Sequence, residues 1–101
     1  MVNFSLPNES LESNSNDKIK PSMKKLLTEF IGAFFVSLSV TLCLLGTVGN
    51  MAGLAIGITL MVMVFAGGHI SGGHYNPAVT LAVFIRGKCP PHEVPGYILA
   101  Q

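Results

Sequence analysis

Charge is what this chain has least of. Only 11% of its 101 residues are charged and 50% are hydrophobic, against about 25% charged in an ordinary soluble domain. From Phe30 to Gly68 there is no Asp, Glu, Lys, Arg or His, a run of 39 residues. One membrane span needs about 20 apolar residues, so this run has room for two. A soluble pair of buried helices is the weaker reading. Cysteine is scarce as well. Cys43 is expected mid-span and Cys89 in a cytoplasmic loop, and such opposite depths argue against a disulfide between them. The apolar run is followed by no small-residue cleavage pattern, and the polar stretch before it is too long for a signal peptide.

What is present organises the run. Gly46-Thr47-Val48-Gly49-Asn50 supplies turn chemistry near its middle. The expected arrangement is therefore a helical hairpin, with span one at about 23–45 and span two at about 51–67. Residues 1–22 are rich in Ser, Asn, Glu and Lys and read as a disordered tail. The glycosylation patterns at Asn3 and Asn8 within it are read as chance matches. Lys18, Lys20, Lys24 and Lys25 precede span one, while Arg86 and Lys88 lie beyond span two. No basic residue sits in the connection between the spans. The positive-inside rule then makes the face holding both groups, and with it the N-terminus, cytoplasmic.

Span two runs into Gly68-His69-Ile70-Ser71-Gly72-Gly73-His74-Tyr75-Asn76-Pro77-Ala78-Val79-Thr80. The glycines predict a non-helical segment from Gly68, and Asn76-Pro77 predicts a helix start. Asn is a good N-cap, and proline loses nothing at the first helical position. The apolar stretch that follows ends at Arg86-Gly87-Lys88. That allows roughly ten helical residues, about 15 Å, or half of a ~30 Å hydrocarbon core. Irregular backbone at membrane depth is tolerated only where it is buried in protein or lines a watery cavity. The pattern is that of a re-entrant loop with a half-helix, followed by a third span from about residue 94.

These thirteen residues resemble the first Asn-Pro-Ala signature of the aquaporin and glycerol-facilitator (major intrinsic protein) family. Lys24 to Gly32 is similar to the opening of that family's first span, and Val94 to Gln101 to the start of its third. The implied fold is all-α and membrane-embedded: two spans, the re-entrant half-helix and the beginning of a third span, over residues 23–101. The implied activity is passive transport of water and small neutral solutes such as glycerol. Lipid is the expected surrounding, a homotetramer the expected assembly, and neither cofactor nor nucleic acid is expected.

The candidate pore residues are Gly72, Gly73, His74 and Asn76. Asn76 caps the half-helix with Pro77 and Ala78, and its amide can donate to a passing oxygen beside the positive helix end. The glycines and His74 expose main-chain carbonyls, the role that the resemblance gives them. Against this stands the plain reading of a helix cap and a tight glycine turn. His69 and His74 are five apart, which suits neither one helix face nor a zinc pattern. Both are expected to be hydrogen-bonded imidazoles bracing the loop. Glu29, the one acid between the tail and Glu93, either reaches the interface or, as the resemblance implies, accepts from the loop. Gly49, Gly53 and Gly57 recur every fourth residue, a spacing that lets helices touch, with internal packing preferred over self-association.

The sequence also departs from the family pattern. The second Asn-Pro-Ala half and the arginine after it are absent from these residues, and the turn between the first two spans is short. Ile56 falls where water-selective members usually place an aromatic filter residue. With the basic residues on one face, an inverted second copy is disfavoured as the missing half. The chain alone is therefore expected not to conduct. Its partner is either a missing second half or a full-length relative with which a truncated form associates. An enzyme using His69, His74 and Glu29 lacks a nucleophile and a convincing ligand spacing.

Overall fold

Residues 22–46 and 48–101 are described by the computed structural model. The tail expected over 1–22 and its two glycosylation patterns lie outside the described residues, except for Ser22. Helix α1 spans Met23–Leu45 and α2 spans Ala52–Ser71, joined through a 3-10 turn at Gly49–Met51. A nine-residue helix, α3, covers Pro77–Ile85, and α4 covers Val94–Ala100. There is no strand among the described residues.

Each boundary has a local cause. The Ser22 side chain accepts from the Lys24 N–H and caps α1. At 23 residues α1 is about 34 Å long, enough to cross a ~30 Å core. Gly49 turns the chain with φ +56°, a conformation that costs glycine little. The segment Gly49–Ser71 is again long and apolar enough to cross a membrane. It returns antiparallel to α1, so that Cys43 faces Ala52 at one end of the pair and Glu29 meets Ser71 at the other. Cys43 therefore sits in the last turn of α1 and not mid-span. Both described cysteines are free.

Helix α2 runs further than the sequence suggests. Gly68, His69, Ile70 and Ser71 are helical, and the irregular segment begins only at Gly72. The glycine with the helix-ending geometry is Gly72 itself, at φ 93°, with its N–H donating to the Gly68 carbonyl. Left-handed glycine closes a helix this way. Gly67 and Gly68 instead serve burial inside the last turns.

The interior is small and lies at one end. Glu29, Gly32 and Ala33 are the buried positions of α1, and Gly67, Gly68 and Ser71 those of α2. They form facing low-volume surfaces with the loop 72–76 between them. Elsewhere the helices present large apolar side chains outward, with Phe65 82% exposed and Leu45 81% exposed. Lipid is the solvent such faces require.

Candidate functional site: the loop before the half-helix

The loop 72–76 is built on a single carboxylate. Glu29 is fully buried. Its Oε1 accepts from the Ser71 hydroxyl at 2.7 Å and from the His74 N–H at 3.0 Å. Its Oε2 accepts from the Tyr75 N–H at 2.7 Å and from Gln101 Nε2 at 2.6 Å. A carboxylate has about four acceptor positions, and four donors meet it here. Two loop amides that no helix satisfies thus find charge-assisted partners.

Tyr75 locks the same loop from its other side. It is buried, and its backbone is left-handed at φ 54°, which costs a non-glycine residue roughly 1–2 kcal/mol. Its hydroxyl donates to the Met63 carbonyl at 2.7 Å. The ring lies where a Cβ on Gly32 would sit, and its oxygen where one on Gly67 would. These two glycines, one on each span, make the slot that holds Tyr75. Among the described residues, Gly49, Gly53 and Gly57 do not have the internal packing role expected of them. All three are exposed, and a Cβ on any of them would meet nothing within 4 Å. They point away from the α1–α2 contact.

Asn76 then starts α3. Its backbone is extended at φ -158°, and its Oδ1 accepts from the Ala78 N–H at 2.8 Å, with Pro77 at the helix start. The cap fixes the amide's orientation, so that Nδ2 faces outward. Nδ2 has no acceptor among the described residues, and Asn76 is exposed.

Beside the loop lies a cavity of about 580 Å³, bordered by His69, Gly72, Gly73, His74, Lys88 and Cys89 among others. Three of the pore candidates, Gly72, Gly73 and His74, share it. Asn76 and Ile56 do not border it: Asn76 is exposed and Ile56 is half-buried on α2. His69 is exposed on the last turn of α2 and makes no hydrogen bond among the described residues, so it does not brace the loop. The extra turn of α2 turned it outward. His74 does brace, with Nδ1 3.1 Å from Thr80 Oγ1 and its ring against Tyr97.

Helix α4 contributes what the sequence reading missed. Tyr97 is 1% exposed and donates to the Ser71 carbonyl at 2.7 Å. Gln101 reaches both Glu29 and Thr80. At the cavity's outer edge Lys25 pairs with Glu93 at 2.8 Å, tying the start of α1 to the approach to α4. Burial and the Glu93 carboxylate push the Cys89 thiol upward, with Lys25 only partly opposing.

The family model described as "Major intrinsic protein" matches residues 15–101. The chain belongs to that family. Over 88 residues it is 38% identical to Aquaporin NIP1-1 of Arabidopsis thaliana, covering 80% of this chain and 30% of that protein. It is 41% identical over 81 residues to Glycerol uptake facilitator protein-like 6 of Lactiplantibacillus plantarum, covering 78% of this chain and 38% of that protein. Nodulin-26 of Glycine max is 36% identical over 100 residues, 92% of this chain and 37% of its own length. The chain thus spans about a third of the length of these curated relatives. No solved structure matches it. The family is one of integral membrane channels, and the two long apolar helices with the half-helix agree with the first half of an aquaporin fold.

Proposed function

We propose that this chain forms the first half of a channel that passes water and small neutral solutes of the glycerol type, by passive transport and without covalent chemistry. The observation that carries the reading is the Asn76 cap. Its Oδ1 is held by the Ala78 N–H at 2.8 Å, which leaves Nδ2 free to donate at the positive end of α3. A donor there receives a solute oxygen, repels cations and interrupts a proton-conducting file of water. Gly72, Gly73 and His74 supply the lining that leads to it, and Ile56 the second-span filter position. The second half comes from another segment of chain, in a tetramer whose N-termini face the cytoplasm.

The test grafts residues 23–101 in place of the matching stretch of Aquaporin NIP1-1. Stopped-flow swelling of proteoliposomes, with osmotic and glycerol gradients, should run several-fold above bare lipid. Swelling at the bare-lipid rate, with the chimera folded and inserted, contradicts the reading. A second reading, association with full-length relatives without conduction, is favoured by the open face at Gly53 and Gly57.

A further inference from the structure

The side chain of His74 has a partner on one nitrogen only among the described residues, and the chain of donors behind it bears on which nitrogen carries the proton. Gln101 Nε2 has two hydrogens and two acceptors, Glu29 Oε2 at 2.6 Å and Thr80 Oγ1 at 3.0 Å. Thr80 Oγ1 therefore receives one hydrogen bond from Gln101 and keeps a single hydrogen to give. Three acceptors are in reach: His74 Nδ1 at 3.1 Å, the Asn76 carbonyl at 3.3 Å and Gln101 Oε1 at 3.4 Å. The Asn76 carbonyl also accepts the Thr80 N–H at 3.1 Å. Gln101 Oε1 belongs to the amide that is donating to this same oxygen. His74 Nδ1 is the nearest of the three and the one with no other donor among the described residues, which favours it as the acceptor of the Thr80 hydrogen.

A neutral imidazole with an accepting Nδ1 carries its proton on Nε2. Nε2 has no partner among the described residues. No buried side-chain nitrogen or oxygen among them lacks one either, so Nε2 is accessible, and His74 borders the 580 Å³ cavity. We propose that Gln101 and Thr80 are positioning residues that hold His74 as the Nε2–H tautomer, and that this N–H is a binding site for an acceptor oxygen, of water or an alcohol, in the cavity. The inference rests on the channel reading only for what brings that oxygen there. The side chain of His74 then supplies a donor on the cavity wall, separate from Asn76.

The test is solid-state NMR of the full chain in lipid bilayers with 15N-labelled histidine, in mildly alkaline buffer. His69→Gln and His92→Gln leave His74 as the sole imidazole. Both residues are exposed and make no hydrogen bond among the described residues. The expected spectrum has a protonated Nε2 and an unprotonated, hydrogen-bonded Nδ1. Magnetisation from water should reach the Nε2–H. Thr80→Val should move the Nδ1 signal to the free-acceptor position, and Thr80→Ser should restore it. Gln101→Leu, which frees the Thr80 hydroxyl from its donor, should move it part of the way. A protonated Nδ1 in the parent chain, an Nδ1 signal unmoved by Thr80→Val, or an Nε2–H beyond the reach of water would each overturn the proposal. None of these readouts requires conduction, so a failure here and a failure of the channel reading are told apart.

Discussion

Glu29 holds the loop because it is the common acceptor of four donors from three separate segments. Replacing it by glutamine sets an amide NH2 against N–H groups that have no other acceptor. The cost of stranding such buried donors is about 1–3 kcal/mol each. Glu29→Gln should therefore lower the chain's unfolding free energy in detergent micelles by at least that for one donor, and Glu29→Ala by more. Gly32 gives a second prediction at this scale. Gly32→Ala drives a methyl into the Tyr75 ring and should destabilise by about 1–3 kcal/mol. Gly53→Ala meets open space and should be neutral or stabilising, by up to about 1 kcal/mol. Equal effects at the two glycines would contradict the slot described for Tyr75. The cap residues Asn76 and Pro77 were legible in the sequence because a helix start is a local matter of adjacent residues. Tyr75, Tyr97 and Gln101 were not, since their roles lie in partners 12 to 72 positions away. The small-residue pattern misled for a related reason. Spacing along one helix identified Gly49, Gly53 and Gly57, while the close approach uses Gly32 and Gly67 on two different helices.

At the scale of elements, length and capping legislate most of the arrangement. Nine residues give α3 about 13 Å, too short to cross a bilayer, so its ends must be met inside protein. The extent of α1 could be read from its apolar run. The end of α2 could not, because glycines at 67, 68, 72 and 73 compete as stops; Gly72 and Gly73 both take a positive φ, and Gly72 is the one at the C-cap. The connection from α3 to α4 is tied to α1 by the Lys25–Glu93 pair, with 37% of the Lys25 side chain exposed. Solvent screening keeps such a pair below about 1 kcal/mol, so its effect is better read on its neighbour. Cys89 is buried beside it, and its raised thiol holds less thiolate at neutral pH than a free cysteine. Alkylation of Cys89 should be slow at neutral pH and should accelerate into the alkaline range. Glu93→Gln removes one of the causes of the rise and should speed the reaction at fixed pH. A rate already at its plateau at neutral pH would contradict this environment for Cys89.

At the scale of the whole molecule, the structure gathers Lys25 and Lys88 in the lining of the cavity, whose mouth is taken to lie at that end, opposite the end where Cys43 meets Ala52. We propose on the basis of charge placement that this mouth is cytoplasmic. In a cysteine-free background, Asn50→Cys and Arg86→Cys should react with a membrane-impermeant maleimide from opposite sides, Asn50 from outside. Labelling of both from one side would contradict a re-entrant loop between two spans. The all-helical class and the half-helix were readable because charge-free length and an Asn-Pro start are one-dimensional signals. Which side chains face the lumen is not. The central claim is that Asn76 donates to permeating oxygen at the α3 terminus and excludes ions. Its most direct test is Asn76→Ala in the chimera with Aquaporin NIP1-1, recording osmotic swelling and ion leak in the same proteoliposomes. The account predicts altered water permeability together with a rise in ion leak. Unchanged permeability and unchanged ion exclusion would contradict it.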